Sequence, residues 1–207
     1  RLQKLGYRAY LRNEIVGYPT DVDYVLSEKW YWNDEYINVE KDLVLVTWAA
    51  SSSGKMSTCL WQIYLENIKW LNSSYAKYET FPIWNVDLYH PINLAYEAAT
   101  ADIWDFNAYD LLHEQNYQEK SVNYNRDIEA FEIIQKMAEC QEKNCLLWDD
   151  NFMRSYKSPT DMWISNAWFC IIYEKICIEA SIKEIKNRKK KFLKIIKYLK
   201  IIYFFLY

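Results

Sequence analysis

The sequence predicts a mainly α-helical protein with a small mixed α/β part at the N-terminal side and a long C-terminal helix. Three observations predict this class. Only 3 of the 207 residues are glycine, whereas average usage of about 7% would give about 14. Apolar residues recur at three- and four-residue spacing through the second half. After Pro159 the chain contains no further glycine or proline that would end a helix.

The N-terminal part, residues 1–90, is predicted to mix strand and helix. The apolar, β-branched run at 43–48 favours a strand, and its unbroken apolarity indicates burial on both faces. Residues 49–53 are small and predict a loop. Between residues 58 and 71 an amphipathic helix is predicted from apolar side chains at helical spacing, which are Leu60, Ile63, Tyr64, Ile68 and Leu71.

Residues 91–182 are predicted to form a bundle-like helical part. One apolar-periodic segment runs from 93 to 113 without a breaker, and a second spans 125–142. A third helix is expected from Ser158 onward, because an N-cap serine is followed by proline and, three residues later, by an acid. Its first part, 162–178, is apolar nearly all round and predicts a buried helix.

Residues 183–207 are predicted to form a basic, amphipathic helical tail. Residues 183–200 hold nine cations and one acid, a local charge of +8, so that the remainder carries 16 cations against 27 acids. The lysines follow one stripe and apolar residues the opposite one. The residues expected to bind a partner are Lys190, Lys194, Lys197, Phe192, Ile196, Leu199, Tyr203, Phe204, Phe205 and Tyr207.

These features favour a non-catalytic, structural or interaction subunit of a larger assembly. Glycine is scarce where dinucleotide or phosphate loops need it. The 37 Trp, Tyr and Phe residues exceed what one small core buries. We expect other protein subunits, and an anionic membrane surface at 183–207, as partners. Nucleic acid is disfavoured by the acidic body. The abundance of Lys, Ile, Asn and Tyr is typical of an AT-rich genome and suggests an organellar, for example mitochondrial, or protist complex. The basic tail suggests that this complex is membrane-associated.

An alternative hypothesis is a metal-dependent enzyme. Gly6 is followed at some distance by Asp21 and Asp23 in an Asp-x-Asp pattern, with Asp87 as a third carboxylate. This arrangement resembles the nucleotidyltransferases, and the resemblance implies that the three carboxylates would hold Mg²⁺ and a triphosphate. The sequence departs from that pattern at Tyr7, where the family has a small residue.

Other site types receive less support from the residues. Residues 49–56 follow the predicted strand as a phosphate-binding loop would, but Ala49 and Met56 replace residues that the loop needs. The two histidines and five cysteines have no zinc-ligand spacing, and we expect reduced thiols, no metal and no cofactor. A carbohydrate-binding module with exposed tryptophans is a weaker alternative. An intracellular or organellar location is favoured over secretion, since the chain start shows no secretory signal.

Overall fold

The computed structural model describes residues 2–13, 16–27, 34–47, 53–79, 86–141, 144–164 and 173–205, with side chains except at 140–145 and 198–205. Its α-helices are α1 (Val22–Val25), α2 (Lys55–Ile68), α3 (Pro91–Thr100), α4 (Leu111–Tyr117), α5 (Asn125–Ala138) and α6 (Glu174–Phe205). The strands, which form two antiparallel pairs, are β1 (Asn107–Tyr109) with β2 (Val122–Tyr124), and β3 (Cys140–Gln141) with β4 (Asn144–Cys145). The prediction of a mainly α-helical protein with few strands is confirmed.

The chain forms two compact units. Unit 1 consists of Arg1–Ala76 and Ile128–Tyr156, and unit 2 of Lys77–Asp127 and Lys157–Tyr207. Each unit therefore combines two separate stretches of sequence.

Unit 1 has its core on α2 and on the part of α5 that follows Asp127. The apolar spacing that predicts a helix at 58–71 is confirmed, although α2 already begins at Lys55, after Gly54 in the left-handed region at φ 79°. The helix then closes at Lys69, and Trp70 follows with φ 64°. The fully buried side chains on the two helices are Leu60, Trp61, Phe131, Ile133, Ile134 and Met137.

The strand predicted at 43–48 is wrong for residues 43–47, and residue 48 lies outside the described residues. Leu43, Val44 and Leu45 are 89%, 52% and 80% exposed, and the segment is irregular. A strand requires a neighbour that satisfies its backbone N–H and C=O groups. None of the segments that the structure describes pairs with this run, so apolarity alone does not make it a strand.

The single helix predicted at 93–113 is also wrong. Helix α3 ends at Thr100, and Trp104 adopts a left-handed conformation with φ 56°. The Thr100 hydroxyl donates to the backbone oxygen of Asp105 at 2.8 Å, which holds the reversal. Strand β1 follows, with Asn107 opposite Tyr124 in β2, before a new helix begins at α4. Side-chain spacing does not reveal the break, because apolar residues continue through it.

The predicted helix over 125–142 is confirmed as α5 as far as Ala138, whereas Cys140–Gln141 form strand β3. The start signal at Ser158 is present as a capping box, but it opens only a 3₁₀ turn, Pro159–Met162. Trp163 then pairs with Lys77 in a parallel bridge. The expectation of continuous helix from Ser158 is therefore wrong, since the chain extends at Trp163 to form this bridge. Residues 165–172 of the predicted buried helix lie outside the described residues.

The long C-terminal helix is confirmed as α6, which packs against α3 within unit 2. Among the described helices, none combines the length and apolarity that a membrane crossing demands.

Candidate functional site

Three segments of unit 2 converge around the ammonium group of Lys77. The backbone N–H of Lys77 donates to the oxygen of Met162 at 2.7 Å, and its carbonyl accepts from Ile164 at 2.8 Å. Because side chains alternate along extended backbone, Lys77 and Glu79 point one way, while Tyr78 between them is 68% exposed. The Lys77 Nζ atom lies 3.8 Å from Glu79 Oε2.

The first turn of α5 supplies the main partner of this lysine. Lys77 Nζ donates a short hydrogen bond to Asp127 Oδ2, and the indole Nε1 of Trp163 donates to the same oxygen at 3.1 Å. A carboxylate near a helix N-terminus is favoured by the helix dipole. Asp127 is therefore held at this place by three independent interactions.

Aromatic rings surround the ammonium. Lys77 Nζ lies 4.4 Å from the ring centroid of Tyr124 and 5.3 Å from that of Trp163. Such cation–π contacts each contribute about 0.5–2 kcal/mol, depending on solvent exposure. Tyr96 packs on Tyr124 with ring centroids 4.8 Å apart.

Both tyrosines are held in the protonated form. Burial, followed by the charge of Glu79, raises the pKa of Tyr124, which also hydrogen-bonds to Glu79. Burial and the nearby Asp105 carboxylate likewise raise the pKa of Tyr96. The Tyr96 hydroxyl donates to Asp105 Oδ2 at 3.0 Å, and Arg126 Nε lies 3.3 Å from the other oxygen of Asp105.

We call this group the lysine cluster; its members are Lys77, Glu79, Tyr96, Asp105, Tyr124, Arg126, Asp127 and Trp163. Its three carboxylates are only 6–7% exposed; Lys77 lies within ion-pair distance of Glu79 and Asp127, and Arg126 within that of Asp105. The adjoining stretches 80–85 and 165–172 contain no charged residue. The lysine cluster therefore carries a formal charge of about −1, since three acids face two bases.

A second polar network in unit 2, around Ser158, is not accessible to a substrate. His113 Nδ1 lies 3.1 Å from Ser158 Oγ, the type of pair found in hydrolases. However, Ser158 is 0% exposed, and its backbone N–H donates to Asp161 at 2.9 Å. Asp110 accepts from both the N–H and the hydroxyl of Thr160, at 3.0 and 2.7 Å. These bonds fix the 3₁₀ turn and leave the serine out of reach of a substrate.

In unit 1, the thiol of Cys59 is equally unsuited to chemistry. Burial raises the pKa of Cys59 to about 11, against the lowering effect of Arg12. A thiol is a nucleophile only as the thiolate. Cys59 is therefore a packing residue near neutral pH.

Comparison with known proteins places the chain in a family. Residues 1–200 match the model of a domain of unknown function, DUF1846, N-terminal. The chain belongs to this family. A UPF0371 protein of Streptococcus pneumoniae serotype 2 (strain D39 / NCTC 7466) is 44% identical over 188 residues, which are 91% of this chain and 36% of that protein. Two further UPF0371 proteins, from the S. pneumoniae strains Hungary19A-6 and ATCC BAA-255 / R6, are 43% and 44% identical with the same coverage.

The chain spans about a third of the length of these DUF1846 relatives. The expected role as a structural subunit of a mitochondrial or membrane-associated assembly is wrong, because the relatives are bacterial and the family description names no such role. The same findings give no support to the nucleotidyltransferase or the carbohydrate-binding alternative. A biased composition reports on the genome of an organism and does not identify an organelle.

The three aspartates of the metal hypothesis each have a local role. Asp21 caps α1 by accepting from the N–H of Tyr24 at 3.3 Å, and the exposed Asp23 lies 3.5 Å from Lys136 Nζ. Asp87, in unit 2, accepts from the N–H of Tyr89 at 2.9 Å. Within the described ranges, no group of three or more His, Cys, Asp or Glu side chains is arranged to hold a metal ion.

Apart from Tyr207, the partner-binding residues predicted on the tail lie on α6. Lys190, Lys194 and Lys197 are exposed, and Phe192 and Ile196 are 61% and 37% exposed. The side chains of Leu199, Tyr203, Phe204 and Phe205, and the whole of Tyr207, lie outside the described residues. Their predicted role in binding stays a prediction.

Sequence reasoning missed the lysine cluster. Lys77 and Glu79 stand two residues apart in a segment without periodicity, and Asp127 and Trp163 are 50 and 86 residues further along. The one local signal is the position of Asp127 in the first turn of a predictable helix, where acids are common for reasons of helix stability.

Proposed function

We propose that unit 2 binds a small ligand that carries a protonated amine, and that the lysine cluster is the binding site. The observation that carries the proposal is the excess negative charge among buried carboxylates beside aromatic rings. An unbalanced buried charge costs several kcal/mol and is rarely kept without a function. A ligand ammonium would balance it.

The neighbouring groups fit this chemistry. Tyr124 and Trp163 already hold one ammonium, that of Lys77, at cation–π distance. About a quarter of the Lys77 side chain, 24%, is exposed, so the lysine cluster is open to solvent on that side. An anionic ligand would instead meet Glu79 and Asp127 within 4 Å of Nζ and be repelled.

This chain represents about a third of the longer DUF1846 proteins. Any reaction of the bound ligand would therefore be carried out by the whole protein. The lysine cluster contributes charge recognition. Its phenols are protonated donors, and its lysine is an ammonium paired with carboxylates.

The experiment uses three probes of equal length: 1,5-diaminopentane, 1,5-pentanediol and glutarate. Their effect on the thermal unfolding midpoint and their heats of binding are measured with the intact chain. We expect the diamine alone to stabilise, by about 2.7 kcal/mol at 100 times its dissociation constant. The diol and the dicarboxylate should leave the midpoint unchanged.

The decisive variant is Glu79→Gln, which keeps the shape of the side chain and removes the excess charge. It should abolish the response to the diamine. Glu139→Gln, which removes an exposed carboxylate in unit 1, is the matched control and should respond as the unmodified chain does. A diamine response that persists in Glu79→Gln, or no response in the unmodified chain, would show that the lysine cluster is a structural ion network.

A further inference from the structure

The two halves of α6 differ in what covers them. Helix α3 has 10 residues and α6 has 32, which corresponds to lengths of about 15 and 48 Å. Among the α6 side chains that the structure describes, those at 174–197, the partly buried ones all lie in the first half of the helix, and they are Cys177, Ile178, Ser181, Glu184 and Ile185. Near the middle of α6, Arg188 contacts α3 through its guanidinium, which donates to the backbone oxygen of Ala99 at 3.5 Å.

The apolar face of α6 continues past this point. At about 100° per residue, Phe192, Ile195 and Ile196 fall on the same side of the helix as Ile178, Ser181 and Ile185. They are 61%, 55% and 37% exposed, and every described side chain from 186 to 197 is exposed. We call Phe192, Ile195 and Ile196 the open face of α6; it prolongs the surface that α3 covers.

The opposite side of the same segment is charged. Its lysines recur at three- and four-residue steps and are Lys183, Lys186, Lys190, Lys194 and Lys197. A solitary helix half with one apolar and one basic side gains little stability on its own, since most helical stability in proteins comes from packing of the apolar face.

We infer that the open face of α6 is the surface on which the C-terminal part of the longer DUF1846 proteins packs. The family model covers residues 1–200 and describes the N-terminal domain, so the open face is inside that domain. The streptococcal relatives share 188 residues with the chain, which are 36% of their length. About two thirds of each relative therefore lie outside the shared segment, and the match to the N-terminal domain ends at residue 200, within α6.

A chimaera tests this inference. Residues 1–200 of this chain replace the matching segment of the serotype 2 streptococcal protein, and amide hydrogen exchange is followed at 189–197. We expect exchange there to be at least tenfold slower than in the chain alone, because docking suppresses local opening of the helix. The intact streptococcal protein, which needs no engineering to fold, should protect the aligned helix in the same way.

Matched variants identify the surface. Phe192→Glu with Ile196→Glu should abolish the protection in the chimaera, whereas Lys190→Glu with Lys194→Glu, on the opposite side, should leave it in place. Equal exchange in the chimaera and the chain alone would overturn the inference.

Two further results would overturn the inference, because each would assign a different partner to the open face. Protection in the isolated chain that grows with protein concentration would assign the open face to a second copy. Protection by phosphatidylglycerol vesicles in the isolated chain, without protection in the chimaera, would assign it to an anionic lipid surface.

Discussion

Unit 2 places its charged side chains in two contrasting environments. In the lysine cluster, three carboxylates are 6–7% exposed and each is bound by a cation or a phenol. On α6, the lysines at 186–197 stand in solvent along one side of a helix. The number of charged side chains in a region therefore says little about how strongly they interact, because the same ion pair is weak in water and strong where water is excluded.

The difference also separates two kinds of functional evidence. Buried charges have lost their hydration and persist only with partners. Exposed lysines keep their hydration, so their spacing mainly reflects the geometry of the helix and the solubility of the chain. The buried charges of the lysine cluster are therefore the stronger sign of a binding site, whereas on α6 the apolar open face is a stronger sign of a contact surface than the lysines are.

The largest effect is expected from Lys77→Met. This change leaves Glu79 and Asp127 buried without their shared cation, and loss of one partner of a buried pair costs about 3–5 kcal/mol. Urea unfolding of the intact chain measures the free energy. The control is Lys136→Met, whose partner Asp23 is exposed, with an expected loss below about 1 kcal/mol. Equal losses in both variants would mean that the burial of the partner carboxylate does not determine the cost of removing the lysine.

A smaller effect is expected at alkaline pH. The pKa of Tyr124 is raised above its usual value of 10.0, so above pH 10 the unfolded chain releases a proton that the folded chain retains. Its contribution to stability is therefore complete below pH 10 and decreases above it, by about 1.4 kcal/mol per pH unit. Tyr96 acts in the same direction.

The measurement is the free energy of unfolding between pH 9 and 11. Tyr124→Phe should make its decline shallower, whereas Tyr7→Phe, at a position that is 64% exposed, should not. A decline of unchanged steepness in Tyr124→Phe would contradict the burial of this phenol.

The smallest effect is expected from Lys190→Gln with Lys194→Gln on α6. Both side chains are exposed, and salt at about 0.15 M screens charges beyond about 8 Å. We expect no resolvable change in the midpoint of urea unfolding. A clear loss of stability would show that Lys190 and Lys194 form stabilising ion pairs, which would contradict their description as solvent-exposed charges.

Local sequence patterns predicted the helices in which apolar residues recur at intervals of about one helical turn. Helices α2 and α5 lie where the spacing of Leu60, Ile63 and Tyr64, and of Ile128, Phe131 and Ile134, places them. The long α6 lies within the breaker-free stretch after Pro159, although the helix begins only at Glu174. In each case the signal is contained in a few neighbouring residues, since the interaction that forms the helix spans only four.

The same patterns failed where a distant segment decides the outcome. Residues 43–47 have strand-like side chains but no described partner strand. The apolar-periodic segment at 93–113 is interrupted where strand β1 pairs with strand β2, which lies further along the chain. The capping box at Ser158 was recognised, yet the pairing of Trp163 with Lys77 ends the turn after four residues.

The sequence by itself determined the helical class, the amphipathic faces of α2 and α5, and the two opposed sides of α6, because these depend on residues within one or two turns. Only the tertiary structure decided which charges are buried. Lys77, Asp127 and Trp163 meet through a bridge and a helix start that are far apart in sequence. Burial is a property of the packed chain, and it gives these few charges their energetic weight.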